Sequence, residues 1–454
     1  MNRTMSLLCA GLSLLPLSCS SPKPDPLPPD AGVVAGCAKP TKGPTQHGAT
    51  VKTETWTADG SPHVLPYDTS IYETLTLEPC AEVLLAPGST VTVSAGAKII
   101  AEGTASKPIH IGAKEAGKPF TKIRALGGGT MRFAYVDIDG GGLPQATNVE
   151  FAGTLELAGD SKIPTQETLF VDHVSVKGSS SNGIVARDGG GFAKGSTDLT
   201  VTGAANYPVN MWSRAVDSLP PGAYTGNAKD EILLAATGIG EAIMEDATMH
   251  DRGVPYHVGQ FASAGTLYIG KQGGAPGVAT LTIEPGVTLR MKKGGVIYVE
   301  QAGPGGTTTP AQGALIAVGT SDKRIVFTSA EATPTAGDWL GIWYGRIPSA
   351  TDKLDFVNID YAGGKSTSGS NSCNVPAPGT QNEAAVRIFG IPAGGQFITN
   401  TIISNSAVHG IDRGWRADEK PDFLPTNTFN AIKGCKETFP RDLSGACPTT
   451  VPCP

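Results

Sequence analysis

The sequence has little charge, few aromatic residues and no long apolar run beyond its first residues, and each shortage excludes a class of protein. Charged residues make up 17% and aromatic residues 6% of the 454 residues, and the formal net charge is −6. Nucleic-acid binding needs a basic face, so the acidic balance argues against that partner. No later apolar run reaches the roughly 20 residues of a membrane-spanning helix. No nucleophile elbow, P-loop or dinucleotide motif appears, and we therefore predict no catalytic residues.

Glycine and proline, with 59 and 35 residues, are what the sequence has in abundance. Between them, aliphatic residues recur in pairs separated by one residue, with pairs beginning at Leu75, Val83 and Val91. Alternation over so few residues predicts short strands with one buried face. Because the pairs begin eight residues apart, three strands would form a coil of about 24 residues.

The N-terminus predicts export. A basic residue precedes a short apolar stretch, and we assign residues 1–18 to a signal peptide and 19–46 to a Pro-rich tether. Cys19 follows the small residue Ser18 and resembles the lipid-accepting cysteine of a bacterial lipobox, although Pro16 stands where a leucine is usual. We predict an outer-membrane or cell-surface lipoprotein, with plain secretion as the alternative if Cys19 is unmodified.

Six of the eight cysteines lie beyond the signal region, an even number that predicts disulfides in an exported chain. They are Cys37, Cys80, Cys373, Cys435, Cys447 and Cys453. A bridge between the first two would pin the N-terminal segment over the first coil. The other four gather near the C-terminus, and the sequence leaves their pairing open. No C-x-x-C pair supports a zinc site instead.

The chain also contains an internal duplication. LTLEP at 75–79 returns as LTIEP at 281–285, KIIAEGTASKPIHIGA at 98–113 as ALIAVGTSDKRIVFTS at 314–329, MRFAYVDIDGGG at 131–142 as LDFVNIDYAGG at 354–364, and FVDHVSVKGSSSNGI at 170–184 as FITNTIISNSAVHGI at 397–411. The order is kept and the separation grows only by small insertions. We therefore predict two homologous modules, residues 47–245 and 246–454, the second with a Cys-rich C-terminal cap.

These stretches resemble the right-handed parallel β-helix repeats of bacterial pectin-lyase-like surface proteins. The resemblance rests on LTIEPGVTLR at 281–290, AVGTSDKRIVFTS at 317–329, GDWLGIWYG at 337–345 and NIDYAGG at 358–364. It implies an all-β solenoid whose stacked coils bury one column of Val, Leu and Ile. It covers nearly all of residues 50–430 and implies architecture more specifically than activity.

Two kinds of side chain are candidates for ligand binding. Asp137 and Asp360 occupy matched positions in the duplication, and they predict either sugar or Ca²⁺ ligands or, in the reading we favour, residues that end a strand and cap a turn. Alternation along the strand turns Trp339 and Trp343 outward, where they and Trp415 could stack on sugar rings. Packing under a neighbouring loop is the alternative that we favour. The other acidic candidates are Asp139, Asp355, Glu245 and Asp246.

The predicted function is non-catalytic: a rigid, lipid-anchored envelope protein that presents its surface to a polysaccharide or another protein. A polysaccharide lyase or glycoside hydrolase is the alternative, because an acidic groove assembled from distant coils would be invisible in the sequence. A structural spacer is the third. A groove with three or more carboxylates beside an Arg or Lys would favour the enzyme. Apart from the weak Ca²⁺ candidates, no cofactor is predicted.

Overall fold

A computed structural model describes residues 36–144, 151–161, 165–236, 241–260, 264–271, 276–300, 311–366, 372–373, 383–416, 420–447 and 453. Cys19 and the predicted signal peptide lie outside these residues. No helix among the described residues is long and apolar enough to cross a bilayer.

The described chain is built from short strands, with 3-10 turns at Ala58–Gly60 and Ser213–Ser218. The strands are β1 (Thr45–Gln46), β2 (Thr50–Val51), β3 (Glu54–Trp56), β4 (His63–Leu65), β5 (Thr69–Ile71), β6 (Thr74–Leu77), β7 (Glu82–Leu85), β8 (Thr90–Val93), β9 (Lys98–Glu102), β10 (Ile109–Ala113), β11 (Lys122–Leu126), β12 (Thr130–Asp139), β13 (Gly153–Ala158), β14 (Gln166–Lys177), β15 (Asn182–Arg187), β16 (Gly190–Phe192), β17 (Leu199–Thr202), β18 (Val209–Trp212), β19 (Gly222–Ala223), β20 (Ile232–Ala235), β21 (Ala247–Met249), β22 (Tyr256–Val258), β23 (Thr266–Ile269), β24 (Ala279–Ile283), β25 (Thr288–Met291), β26 (Val296–Val299), β27 (Gly313–Val318), β28 (Ile325–Ser329), β29 (Gly341–Tyr344), β30 (Lys353–Asp355), β31 (Val357–Asp360), β32 (Ala384–Ile388), β33 (Ile398–Thr399), β34 (Ile402–Ser404), β35 (His409–Arg413) and β36 (Thr428–Asn430).

These strands stack in parallel into a β-helix, which confirms the predicted fold class. A 14-stranded sheet runs through both modules in the order β2-β5-β8-β11-β13-β15-β18-β20-β22-β25-β28-β31-β34-β36. A 12-stranded sheet flanks it in the first module, and two 5-stranded sheets, β21-β24-β27-β30-β33 and β23-β26-β29-β32-β35, flank it in the second. The 12-stranded sheet covers two faces of the coil, because β12 and β14 bend at Tyr135 and His173 (φ 50° and 54°) and pair on both sides of the bend.

One apolar core fills the inside of the coils in both modules. It contains the aliphatic residues that the alternation predicts, among them Leu75, Val83 and Val91, and it extends from Val51 to Phe423. A single coil could not bury these side chains by itself, so stacking on neighbouring coils is what removes them from water.

The second module is rotated by one face relative to the first. The LTLEP strand β6 lies in the 12-stranded sheet, but its match β24 lies in a 5-stranded sheet. The match of β10 is β28, in the 14-stranded sheet, and the match of β15 is β35, in the other 5-stranded sheet. Since the 14-stranded sheet is continuous, every matched stretch has moved by one of the three faces of the coil.

The structure corrects one part of the sequence alignment. Tyr135 and Phe356 both have φ near +50° (50° and 51°) and occupy the same bend between two faces. Few residues adopt this left-handed conformation, so the bend is a stronger marker than one shared phenylalanine. Aligning the bends matches Asp139 with Asp360, and the predicted equivalence of Asp137 and Asp360 is therefore wrong.

Three disulfides secure the two ends of the solenoid. The prediction that the six cysteines form disulfides is confirmed, and the pairs are Cys37–Cys80, Cys373–Cys447 and Cys435–Cys453. Cys80 has φ 71°, and its match in the other module is Gly286 with φ 93°. The second module thus uses a glycine at a turn where the first places a bridge to the N-terminal segment.

Candidate functional site

The three tryptophans that the sequence offered as a sugar-stacking platform are buried. Trp339 is 0% exposed, and its Nε1 donates to the carbonyl oxygen of Asp360 at 2.7 Å. Trp415 is 2% exposed. Trp343 is 6% exposed because the guanidinium of Arg387, 4.7 Å from the ring centroid, covers it. The predicted platform is wrong, and packing is what these rings do.

The cause of the error lies at Gly341, the first residue of β29. Gly341 has φ 121°, a conformation open mainly to glycine, so strict alternation does not extend back through it. Trp339 consequently joins the apolar core together with Ile342 and Tyr344. Trp343 does leave the inward face, as alternation predicts, but it lies beneath other side chains.

Asp137 and Asp360 lie in different sheets and do not share a site. Asp137 accepts hydrogen bonds from Ser175 and, at 2.9 Å, from Lys177. Burial by itself would raise the pKa of Asp137, but the two hydrogen bonds outweigh burial and the pKa is lowered. Burial raises the pKa of Asp360, which ends β31, and a hydrogen bond from Ser404 opposes the rise. The strand-ending role is thus seen at Asp360, whereas Asp137 precedes the end of β12 by two residues.

Metal ligands are grouped elsewhere in the described residues. Asp172, His173 and Asp198 are the one set there that offers three ligand atoms within 4.8 Å of one another. The histidine Nδ1 is 2.6 Å from Asp172 and its Nε2 is 3.4 Å from Asp198, so the three side chains are already in contact with one another. Neither aspartate predicted as a Ca²⁺ ligand belongs to this group.

A cleft of about 730 Å³ opens at the junction of the modules, where the 12-stranded sheet ends and the sheet that starts at β21 begins. We call it the junction cleft. Four carboxylates and three basic groups are among the side chains that line it: Glu167, Lys194, Arg214, Asp217, Glu245, Asp246 and Arg252.

The wall contributed by the first module is held by a serine. The backbone N–H of Phe192 donates to Ser218 Oγ at 3.1 Å, and the Ser218 hydroxyl donates to the carbonyl of Ala215 at 2.7 Å. These bonds fix the end of β16 against the 3-10 turn Ser213–Ser218. That 3-10 turn interrupts the ladder of strands, and the interruption leaves room for the cleft.

Two charged side chains tie this wall to the second module. Asp217 accepts the backbone N–H of Thr248 at 2.8 Å, and the Arg252 guanidinium donates to the carbonyl of Leu219, from Nε at 3.1 Å. These groups replace the ladder hydrogen bonds that are missing at the junction, so we assign them a structural role.

The charged groups that remain for a ligand lie at the open side of the cleft. Glu167, Lys194 and Glu245 are exposed. Arg214 is half-buried, its Nη1 donates to the carbonyl of Ser161 at 3.2 Å, and burial lowers its pKa while the charge of Glu245 opposes that effect. Carboxylates accept hydrogen bonds, and Lys and Arg only donate them. The cleft therefore offers donors and acceptors side by side, a combination suited to hydroxyl groups.

Sequence reasoning found part of this set and missed the rest. Glu245 and Asp246 were among the acidic candidates, but Lys194 and Arg214 were not identified. They come from coils far apart in the chain, and no spacing relates them. The sequence does contain one sign of the cleft. The alternating strand pattern is lost before Pro220, where the 3-10 turn Ser213–Ser218 interrupts the strands.

Comparisons of the chain with family models, with curated proteins and with solved structures gave no match. The resemblance to pectin-lyase-like surface proteins stays a prediction.

Proposed function

We propose that the chain is an exported, lipid-anchored envelope protein whose β-helix binds a polysaccharide in the junction cleft. The observation that carries the proposal is an open, charged cleft of about 730 Å³, a volume within the roughly 300–1,000 Å³ typical of ligand sites. The three disulfides support export, since such bonds persist in oxidising compartments.

A sugar chain suits the cleft better than a protein surface does. Protein interfaces are typically organised around buried aromatic and apolar anchors. Here Glu167, Lys194 and Glu245 are exposed at the opening. Their donors and acceptors match the hydroxyl groups of a glycan, and the rigid coils on either side keep the cleft in a fixed shape.

The test is binding to a polysaccharide array by the full mature chain and by two cleft variants. We expect Glu245→Gln and Lys194→Met each to weaken binding roughly tenfold, the loss of one charge-assisted hydrogen bond. Glu73→Gln and Lys107→Met, exposed residues of the first coils, are the matched controls and should bind as the natural chain does. A chain that binds no glycan, or controls that lose as much as the cleft variants, would refute the proposal.

An enzyme acting in the same cleft is the second candidate. It is favoured by the four carboxylates that line the cleft beside Arg214, because glycoside hydrolysis uses a pair of carboxyl groups. Incubation with the polysaccharides that bind should then release new reducing ends or unsaturated ends, and Glu245→Gln should abolish that release. Binding without any product would leave the non-catalytic function.

The lipid anchor has its own test. Cys19→Ser should move the protein from the membrane fraction into the medium, because it removes the thiol that accepts the lipid. Continued membrane retention of this variant would contradict the anchor without affecting the glycan proposal.

A further inference from the structure

A second, smaller cleft lies on the outer side of the 14-stranded sheet, and it shares no residue with the junction cleft. Its volume is about 230 Å³. Its lining includes two lysines, a histidine and a tyrosine, and the residues are Tyr207, Lys229, Leu233, His257, Gly259, Gln260, Lys292, Ala330 and Glu331.

The floor of this cleft is set by the register of three neighbouring strands. Leu233 of β20 pairs with His257 of β22, and His257 pairs with Arg290 of β25. These residues alternate with core residues such as Leu234 and Val258, so their side chains lie on the outer side of the sheet. The cleft therefore stands on the 14-stranded sheet where that sheet passes from the first module into the second.

The histidine is held in one orientation by a hydrogen bond to a carboxylate. His257 Nδ1 lies 3.0 Å from Glu231 Oε2, and Arg290 binds the other oxygen of that carboxylate. Because Nδ1 is engaged, Nε2 is the ring nitrogen left for a ligand, and among the described residues it has no hydrogen-bond partner. Such carboxylate–histidine pairs commonly orient a ligand-binding imidazole.

The tyrosine and one lysine are packed together against this histidine. The Tyr207 and His257 rings meet edge to face with centroids 5.8 Å apart. The Lys229 ammonium lies 4.4 Å from the Tyr207 ring centroid and 3.3 Å from its hydroxyl. Burial raises the pKa of Tyr207 to about 12, so its hydroxyl keeps its proton and remains a donor at neutral pH.

The charges around the cleft favour an anion. Lys292 donates to the carbonyl of Gln260, which holds the second ammonium at the rim. The Glu231 carboxylate is paired with both His257 and Arg290. Within the described lining of the cleft, Glu331 is the one acidic side chain, and it stands against the two basic side chains Lys229 and Lys292.

We propose that this cleft binds one small oxyanion, the carboxylate, sulfate or phosphate group of a sugar-sized ligand, between Lys229, Lys292 and Tyr207, with His257 beside them. The volume of about 230 Å³ is below the roughly 300 Å³ at which drug-sized ligands begin, so it suits a single ring or a free anion. Lys229, Lys292 and Tyr207 supply N–H and O–H donors to the cleft, which is the arrangement that holds an oxyanion in place.

The test measures saturable binding of three probes, sodium sulfate, sodium phosphate and sodium glucuronate, to the full mature chain by calorimetry at constant ionic strength, with chloride as the reference. We expect at least one probe to bind. Lys229→Met and Lys292→Met should each weaken that binding roughly tenfold. The probe that binds most tightly identifies whether the anion belongs to an acidic sugar or to an inorganic source.

Lys293→Met is the matched control, since Lys293 follows Lys292 in the chain, is 69% exposed and faces Asp338 at 3.9 Å instead of the cleft. It should bind as the natural chain does. Unchanged melting of the variants in chloride shows that they are folded. The proposal is overturned if no probe binds saturably, or if the control loses as much affinity as the cleft variants. Because the junction-cleft variants do not touch this site, its failure and theirs are separate results.

Discussion

The two modules share one core, but a row of charges on the outside of the first is exposed, whereas a pair of charges on the outside of the second is buried. In the first, Glu82, His110 and Asp139 form an exposed row of charges across neighbouring strands. In the second, Arg387 and Asp412 pair across β32 and β35 and are both 0% exposed. The inward positions are aliphatic in both cases, so the stacking of coils leaves the outer faces free to diverge.

The difference shows what a covered outer face requires. Burying a charge is unfavourable unless it is paired, and the second module supplies partners: Asp412 lies beside Arg387 and accepts from Thr438 Oγ1 at 3.2 Å. The segment around Thr438 lies alongside β35, where Glu437 bridges Ile411 in parallel, and it is secured by two disulfides. The row of Glu82, His110 and Asp139 in the first module stays exposed to water and needs no such cover.

Truncation of matched core residues tests whether the modules behave as one column. Phe327 lies at the position of Ile111, and both are buried. We expect Phe327→Ala to reduce the free energy of unfolding by about 3–5 kcal/mol and Ile111→Ala by about 2–5 kcal/mol. Calorimetry should show both variants lowering the same thermal transition. Two transitions, each shifted by only one variant, would mean that the modules unfold separately.

Removal of a disulfide compares the two ends. Cys37–Cys80 spans 43 residues and Cys435–Cys453 spans 18. In the chain-entropy model the double Cys→Ser replacements reduce the free energy of unfolding by about 4 and about 3 kcal/mol, because the longer loop restricts the unfolded chain more. Urea unfolding measures both, and a larger loss for the shorter loop would contradict the entropic account.

The second module also contains a buried acid whose protonation should be visible in stability. Burial raises the pKa of Asp352 to about 7, although the backbone N–H of Leu315 donates to it at 2.7 Å. The folded state then holds a proton that the unfolded state has released above its ordinary pKa of 3.8. The free energy of unfolding should therefore fall by about 1.4 kcal/mol per pH unit as pH rises through this window.

Asp352→Asn removes this titration and should flatten the stability profile between pH 4 and 7, apart from contributions of other groups. Melting curves of the two proteins across that range make the comparison. Parallel profiles would show that Asp352 is ionised in the folded protein.

The smallest effect on stability is expected from the exposed row of Glu82, His110 and Asp139 in the first module. Hydrogen bonds from His110 to Asp139 and Glu82 raise the pKa of the imidazole to about 9. The stability that this contributes is complete below pH 6.5 and disappears as pH rises through about 9. Because these side chains are 40–50% exposed, the contribution should stay below about 1 kcal/mol.

Asp139→Asn should lower the His110 pKa measured by NMR towards its ordinary value while changing the melting temperature little. Asp137→Asn should lower the His110 pKa by less, because Asp137 acts on His110 through its charge and makes its hydrogen bonds to Ser175 and Lys177 instead. An unchanged His110 pKa in the first variant would contradict the assignment of Asp139 as its partner.

The fold could be predicted from the sequence because its cause is local and repeated. Alternation at Leu75, Val83 and Val91 and the duplication of LTLEP as LTIEP identify inward positions without any knowledge of the other coils. The positions of the candidate binding side chains could not be predicted in the same way. The burial of Trp343 depends on Arg387, 44 residues later, and the inward turn of Trp339 depends on the conformation of Gly341. Both clefts assemble from separate coils, which no spacing in the chain encodes.

The one-face offset between the modules has a consequence for how such a molecule changes in length. The junction at β20 and β22 keeps the 14-stranded sheet continuous although the repeats on either side are out of phase. A solenoid of this kind can therefore be lengthened by a single strand, and not only by a whole coil of three strands. Adding one strand would redirect every surface feature beyond it by a third of a revolution, so insertions at the junction could re-aim a binding site without redesigning the coils that carry it.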